Sequence, residues 1–200
     1  NRLCASGMAA TINASRCIKI GDGDLYITGG VENMTRAPWV ISKTSKPFGR
    51  DAQMHDSSFG WRFINKKMHE MYGTEGMGQT AENLVDLYNI SREDQDQFAF
   101  WSQMKAANAQ QSGRLSKEII PVKIPQRKAD PVLFEKDEFI KPATTIDKLA
   151  KLNPAFKKTG GSVTAGNSSG LNDGAAAILI GSKEAAKRNG LQPKARILSS

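Results

Sequence analysis

The feature that most narrows the fold is a run of small residues, ASGMAATINASRCIKI at 5–20. It is followed at once by a Gly-Asp-Gly-Asp turn at 21–24 and by Leu-Tyr-Ile-Thr at 25–28. Met8, Ala9, Ile12, Ala14 and Ile18 recur at spacings that line helix faces. The many small side chains imply a helix packed closely on several sides. The glycines at 21 and 23 punctuate the chain, and 25–28 reads as a short buried strand ending at Gly29-Gly30. Helix, turn and buried strand in succession is an α/β pattern. A second small-residue block, VTAGNSSGLNDGAAAILIGS at 163–182, holds a buried strand at 175–180. Ser182 then caps a helix that Gly190 ends, and 195–198 begins a further strand.

Between these blocks the character changes. Residues 31–78 are rich in Gly, Met, aromatics and turn formers and have poor periodicity, which reads as a long irregular excursion covering a site or an oligomer contact. Thr80 is placed to cap a helix over 81–88. Ser91, with Asp94 three residues on, resembles a capping box opening a helix to about residue 111, with Gly113 as its stop. Phe98, Trp101, Lys105 and Asn108 alternate there with Ala99, Ala106 and Ala107, giving an apolar and a wet face. Residues 118–124 form a strand candidate that Pro121 confines to an edge. Phe139-Ile140 is its expected partner across a polar loop, and Thr145 caps a short helix over 146–152.

The formal net charge of +8 raises nucleic-acid binding. The Lys and Arg residues are scattered among acidic ones, however, with no basic run interleaved with aromatics and no zinc-finger or RNA-binding motif, so no nucleic-acid partner is expected. A basic surface equally suits a small polyanion such as coenzyme A. No run of about 18 apolar residues is present, so no membrane span is expected. Two cysteines, Cys4 and Cys17, are too few for a disulfide framework and point to a reducing, cytoplasmic setting. Cys17 reads as a small buried hydrophobe. With only His55 and His69 and no clustered thiols, no metal site is expected. The opening NRLCASG carries neither an initiator Met nor a signal segment, and the chain ends inside an apparent strand, so a processed or partial chain is expected.

Cys4 is the residue with chemistry to offer. A thiolate is the nucleophilic form, and a helix N-terminus stabilises it through free N–H groups and the macrodipole. Cys4 stands just ahead of the small-residue helix, with Ser6 and Gly7 permitting close approach, and its own N–H would serve as an oxyanion donor. By itself such a cysteine is more often a buried structural one.

Four strings change that balance: NRLCASGMAA at 1–10, ITGGVENMTRAP at 27–38, MGQTAEN with the following ISREDQDQFAFWSQMKA, and KLNPAFKKTGGSVTAGNSSGLNDGAAAILI at 151–180. In this order they resemble the nucleophile motif and the later segments of the thiolases, and the resemblance runs along nearly all of the 200 residues. The resemblance implies an α/β fold that is part of the thiolase αβαβα layered architecture with an inserted α-rich loop domain. It implies the later part of the N-terminal half over 1–74, the loop domain over 75–160, a return to the N-terminal half over 161–190, and the start of the C-terminal half over 191–200. It also implies a homodimer or homotetramer.

The implied reaction is reversible thiolysis of a 3-oxoacyl-CoA through an acyl-Cys4 intermediate, with coenzyme A as substrate and no tightly bound cofactor. The family's Asn-Glu-Ala-Phe, Gly-His-Pro and Cys-x-Gly segments have no counterpart in these 200 residues, so this chain alone is expected to be inactive. By position, Ser169 and Ala165 resemble residues lining the pantetheine arm and Met77 one near the acyl end. Leu152 and Phe156 resemble residues flanking adenine and pantetheine, and Lys141 falls where relatives carry an Arg near the nucleotide. Gly76 replaces the His of acetoacetyl-CoA-type members, and Asn153 a common Arg. With GWRFINKKM at 60–68, this favours a larger 3-oxoacyl-CoA in a degradative pathway, of aromatic compounds or fatty acids. The competing readings are a CoA-binding module without turnover and a decarboxylating condensing enzyme of the same fold class.

Overall fold

The computed structural model describes residues 1–199. A 3₁₀ turn at Leu3–Ala5 leads directly into helix α1, Ser6–Lys19, and then strand β1, Leu25–Glu32. Strands β2, Trp39–Ile41, and β3, Met54–Asp56, precede helices α2, Lys66–Tyr72, α3, Met77–Tyr88, and α4, Arg92–Gln111. A 3₁₀ turn at Leu115–Lys117, strands β4, Val122–Ile124, and β5, Val132–Phe134, and helix α5, Ile146–Ala150, follow. Strand β6, Gly174–Gly181, and helix α6, Lys183–Arg188, complete the order. The chain divides into two compact units, residues 1–38 with those from Leu171 onward, and residues 39–170.

In the first unit β1 and β6 form an antiparallel ribbon, registered from Leu25 opposite Gly181 to Glu32 opposite Gly174. The expected strand end at Gly29-Gly30 is corrected: β1 runs on through both glycines. At Gly29 the missing side chain lets neighbouring backbone close in. A Cβ at Gly29 would collide with the Ala176 carbonyl oxygen, and one at Gly30 would lie 3.7 Å from the Gly7 Cα. Helix α1 thus lies against the ribbon through a glycine, with Ala14 and Ser15 buried and Thr11 Oγ1 3.2 Å from Thr28 Oγ1. Helix α6 is capped by Ser182, whose Oγ accepts from the Ala185 amide at 3.0 Å, and Arg188 pairs with Asp24.

Burial departs from expectation. The sequence pattern predicts two buried strands, yet Ile27 is 81% exposed and Leu179, opposite it, 49%. Helix α1 covers one face of the ribbon, and the opposite face has no covering layer among the described residues. Cys17 is half-buried, beside Tyr26. The expected strand at 195–198 is absent, because no neighbouring strand pairs with it among the described residues.

The second unit also revises the irregular excursion. It contains the β2–β3 hairpin, with Val40 opposite His55, and α2, capped by Asn65 Oδ1 accepting from the Lys67 amide at 2.9 Å. Thr80 does not cap α3. Gly76 holds that position in extended conformation, and the Thr80 hydroxyl sits inside the first turn, donating back to the Gly76 carbonyl at 3.3 Å. The Ser91 cap of α4 is as expected, with Ser91 Oγ accepting from the Asp94 amide at 3.0 Å and Gly113 at φ +72° closing the end. The buried residues of α4 are Asp96 and Ala107, whereas Phe98 and Trp101 are 69% and 55% exposed. The partner of Val122–Ile124 is Val132–Phe134, not Phe139-Ile140. Thr145 caps α5, accepting from the Lys148 amide at 3.3 Å.

Candidate active site

The first four residues build a turn around Cys4. Asn1 Oδ1 accepts from the Leu3 amide at 2.7 Å. Ser6 Oγ accepts from the Arg2 amide at 2.8 Å and donates to the Leu3 carbonyl at 2.8 Å. These bonds hold Leu3 at φ +52°, a conformation rare for a branched side chain and found where surrounding structure over-determines it. The Asn-x-Leu-Cys-x-Ser spelling is thereby explained. The amide and the hydroxyl fold the chain back so that Cys4 sits exposed in the 3₁₀ turn that runs into α1.

The other six expected site residues lie in the second unit. Met77 opens α3 and is 72% exposed. Its neighbour Gly78 is buried and has no room for a side chain, because the Phe156 ring occupies the place of its Cβ. Leu152 likewise fills the place of a Cβ at Gly166, next to Ala165, with Leu149 Cδ2 at 2.7 Å from the same point. Met77 thus stands beside the Phe156 contact and Ala165 beside the Leu152 contact, each next to a glycine that leaves room for the larger side chain. Ala165 and Ser169 are exposed on the loop between α5 and β6. Lys141 is attached elsewhere: its amide donates to Gln103 Oε1 on α4 at 2.8 Å, and its ammonium lies 5.4 Å from the Phe139 ring centroid.

The loop is held by groups that sequence reasoning missed. Glu82 on α3 is fully buried, and its Oε1 accepts from the Ser162 amide at 2.9 Å and the Val163 amide at 2.8 Å. Asp96 on α4 is 2% exposed and accepts from Arg92 Nε at 2.8 Å and Asn167 Nδ2 at 3.0 Å. Lys157 Nζ reaches Asp86 Oδ2 at 2.7 Å, and that hydrogen bond raises the Lys157 pKa above its usual value. The Arg92–Asp96 spacing of four is visible in the sequence, but it ordinarily marks an exposed helix face.

Residues 1–184 match the family described as thiolase, N-terminal domain. The chain belongs to the thiolase family. It is 52% identical over 200 residues to the beta-ketoadipyl-CoA thiolase of Acinetobacter baylyi, covering 100% of this chain and 50% of that protein. It is 49% identical over 199 residues to the 3-oxoadipyl-CoA/3-oxo-5,6-dehydrosuberyl-CoA thiolase of Escherichia coli, covering 100% of this chain and 49% of the other. The chain thus spans about half the length of the curated thiolases it matches. Human mitochondrial 3-ketoacyl-CoA thiolase, solved in complex with CoA, is 34% identical with a TM-score of 0.80. That match covers 96% of this chain and 46% of the human one. The Bacillus anthracis acetyl-CoA acetyltransferase is 40% identical with a TM-score of 0.79, covering 95% and 46%. The chain therefore has the thiolase αβ fold. No helix among the described residues is long and apolar enough to cross a membrane.

Proposed function

We propose that this chain carries the nucleophile of a degradative thiolase, an acyltransferase that cleaves 3-oxoacyl-CoA reversibly to acetyl-CoA and a shortened acyl-CoA. The observation that carries the reading is Cys4, exposed in a turn that enters an α-helix and held by Asn1 and Ser6. The positive end of the α1 dipole points toward this turn and favours negative charge developing in a substrate there, while the Ala5 and Ser6 amides donate to the Arg2 and Leu3 carbonyls. Cys4 attacks carbon three, the bond between carbons two and three breaks, and acetyl-CoA departs as an enolate that takes a proton from an acid. Free CoA then accepts the acyl group from Cys4, returning the thiolate. Splitting the transfer through a covalent intermediate replaces one difficult step by two easier ones.

The substrate class favoured is 3-oxoadipyl-CoA. Curated relatives at 49% and 52% identity carry that acyl group in their names, and Gly76 stands where a His marks acetoacetyl-CoA-type members. In this reading Ala165, Ser169, Leu152 and Phe156 line the CoA arm, Met77 faces the acyl end, and Lys141 approaches the nucleotide phosphates as a point charge. Residues 75–160 are the loop domain, the working assembly is a homo-oligomer, and the setting is cytoplasmic.

The test uses the longer protein that contains this chain. Iodoacetamide should label Cys4 and abolish thiolysis, with CoA thioesters protecting. Cys4→Ala should lower kcat at least ~10³-fold, the scale expected when a covalent nucleophile is lost. Full activity in Cys4→Ala would end the proposal. The 200-residue chain assayed alone is expected to show no turnover, since neither of its histidines stands in the family's Gly-His-Pro segment.

A further inference from the structure

Two segments with proposed CoA contacts are tied to each other by an unbroken run of hydrogen bonds. Arg92 Nη2 donates to the carbonyls of Leu149 and Leu152, at 2.7 and 3.0 Å. Its Nε donates to Asp96 Oδ2 at 2.8 Å, and Asp96 Oδ1 accepts from Asn167 Nδ2 at 3.0 Å. Asn167 Nδ2 also reaches the Ser162 carbonyl at 3.2 Å, and its Oδ1 accepts from the Thr164 amide at 2.7 Å. Thr164 Oγ1 closes the loop by accepting from the amides of Gly166 and Asn167, at 3.1 and 3.2 Å. Both Asp96 oxygens are thus committed, and the residue is 2% exposed.

Buried ion pairs are poor devices for stability, because desolvation offsets most of their attraction and a packed apolar pair does as well. What a fully satisfied polar network provides is geometric definition. Here the definition falls on the spacing between the turn that carries Leu152 and the loop that carries Ala165 and Ser169. Gly166 shows how narrow that spacing is, since the Leu149 and Leu152 side chains already occupy the place of its Cβ.

We propose that Arg92, Asp96 and Asn167 are positioning residues for coenzyme A: their relay fixes the distance between the 149–152 turn and the 162–169 loop and so sets CoA affinity. The inference rests on the reading of Leu152, Ala165 and Ser169 as the wall of the CoA arm. None of the three relay residues needs to touch CoA.

The test compares Asp96→Ala, Asp96→Asn and Arg92→Lys in the full-length enzyme. Asp96→Ala should raise the KM for CoA about tenfold to a hundredfold, the range expected from a small misplacement of binding groups. Its kcat should stay within about twofold of the parent, because the chemistry at Cys4 is untouched. Asp96→Asn keeps an acceptor for Asn167 but turns its amide NH2 toward the Arg92 Nε–H, so it should raise the KM too, by less than Asp96→Ala; Arg92→Lys loses the two carbonyl contacts and should resemble Asp96→Ala. A simple loss of folded enzyme would lower kcat at constant KM and overturn the proposal, as would an unchanged KM in all three variants. If Asp96→Ala fails to fold, the other two variants decide the matter on the same readout. If the parent performs no thiolysis, the failure belongs to the proposed reaction. Calorimetric titration with CoA then tests the relay separately: weaker binding in Asp96→Asn and Arg92→Lys supports it, and parental binding overturns it.

Discussion

At the scale of single residues, the informative positions are those with no room to change. Glu82 is a carboxylate buried completely, with two backbone amides aimed at it. Removing it strands both donors away from water. Glu82→Ala should therefore destabilise the second unit by about 3 kcal/mol, from the loss of charged hydrogen bonds and the desolvation of the orphaned amides. Urea unfolding followed by Trp fluorescence reads this as a lower midpoint, and an unchanged midpoint would show that the loop stands without Glu82. Gly78 is constrained by the opposite device, an aromatic ring already in the place of a side chain. Gly78→Ala pushes Phe156 off its seat and should cost about 1–3 kcal/mol by overpacking. Part of that strain should appear as weaker CoA binding in the longer protein.

At the scale of elements, short polar residues decide where helices begin. Ser91 caps α4 as its spelling implies, and Ser91→Ala should lower the thermal midpoint, by about 1 kcal/mol of lost capping. A midpoint equal to the parent's would mean the helix start is held by tertiary contacts instead. The junction after β1 is fastened differently. Asp173 accepts from both the Thr35 hydroxyl, through Oδ2, and the Thr35 amide, at 3.0 Å through Oδ1. Hydrogen bonding from the Thr35 side chain first, and from its amide second, holds the Asp173 carboxyl below the usual carboxylate range. Its folded pKa lies under the unfolded one, so its contribution to stability is fully present above the unfolded pKa of about 4. That contribution is lost as pH falls through the folded value. Asp173→Asn should flatten the acid limb of the stability curve below about pH 4 and leave the neutral region parallel to the parent. An acid limb superimposable on the parent's would rule this fastening out.

At the scale of the whole molecule, the surface is unusually apolar. Large side chains on both units contribute, among them Ile27 and Val31 on the ribbon and Trp39, Phe98 and Trp101 in the second unit. Exposed apolar area of this extent marks surfaces that other protein covers. The 200-residue chain on its own should bind a hydrophobic dye such as ANS and elute from a sizing column well above 21.8 kDa. A dye-silent monomer at micromolar concentration would contradict this.

Legible in the residues alone are the α/β succession, the caps at Ser91, Thr145 and Ser182, the turn glycines and the resemblance of four ordered strings to the thiolases. Each of these is a local property, written in spacing of a few residues and in side chains that reach only their own backbone. The rest comes from long-range packing. The run of β1 through Gly29-Gly30 depends on pairing with β6, where Ala176 leaves no room for a side chain at Gly29. The start of α3 at Gly76 rather than Thr80 and the pairing of Val132–Phe134 in place of Phe139-Ile140 are choices among locally equivalent options. The inward turn of Glu82 and Asp96 is the clearest case, because a carboxylate on a helix reads as solvated until amides and an amide side chain from distant positions converge on it. Arg92, four residues before Asp96, marks only a helix face; the burial itself comes from desolvation balanced by long-range hydrogen bonds.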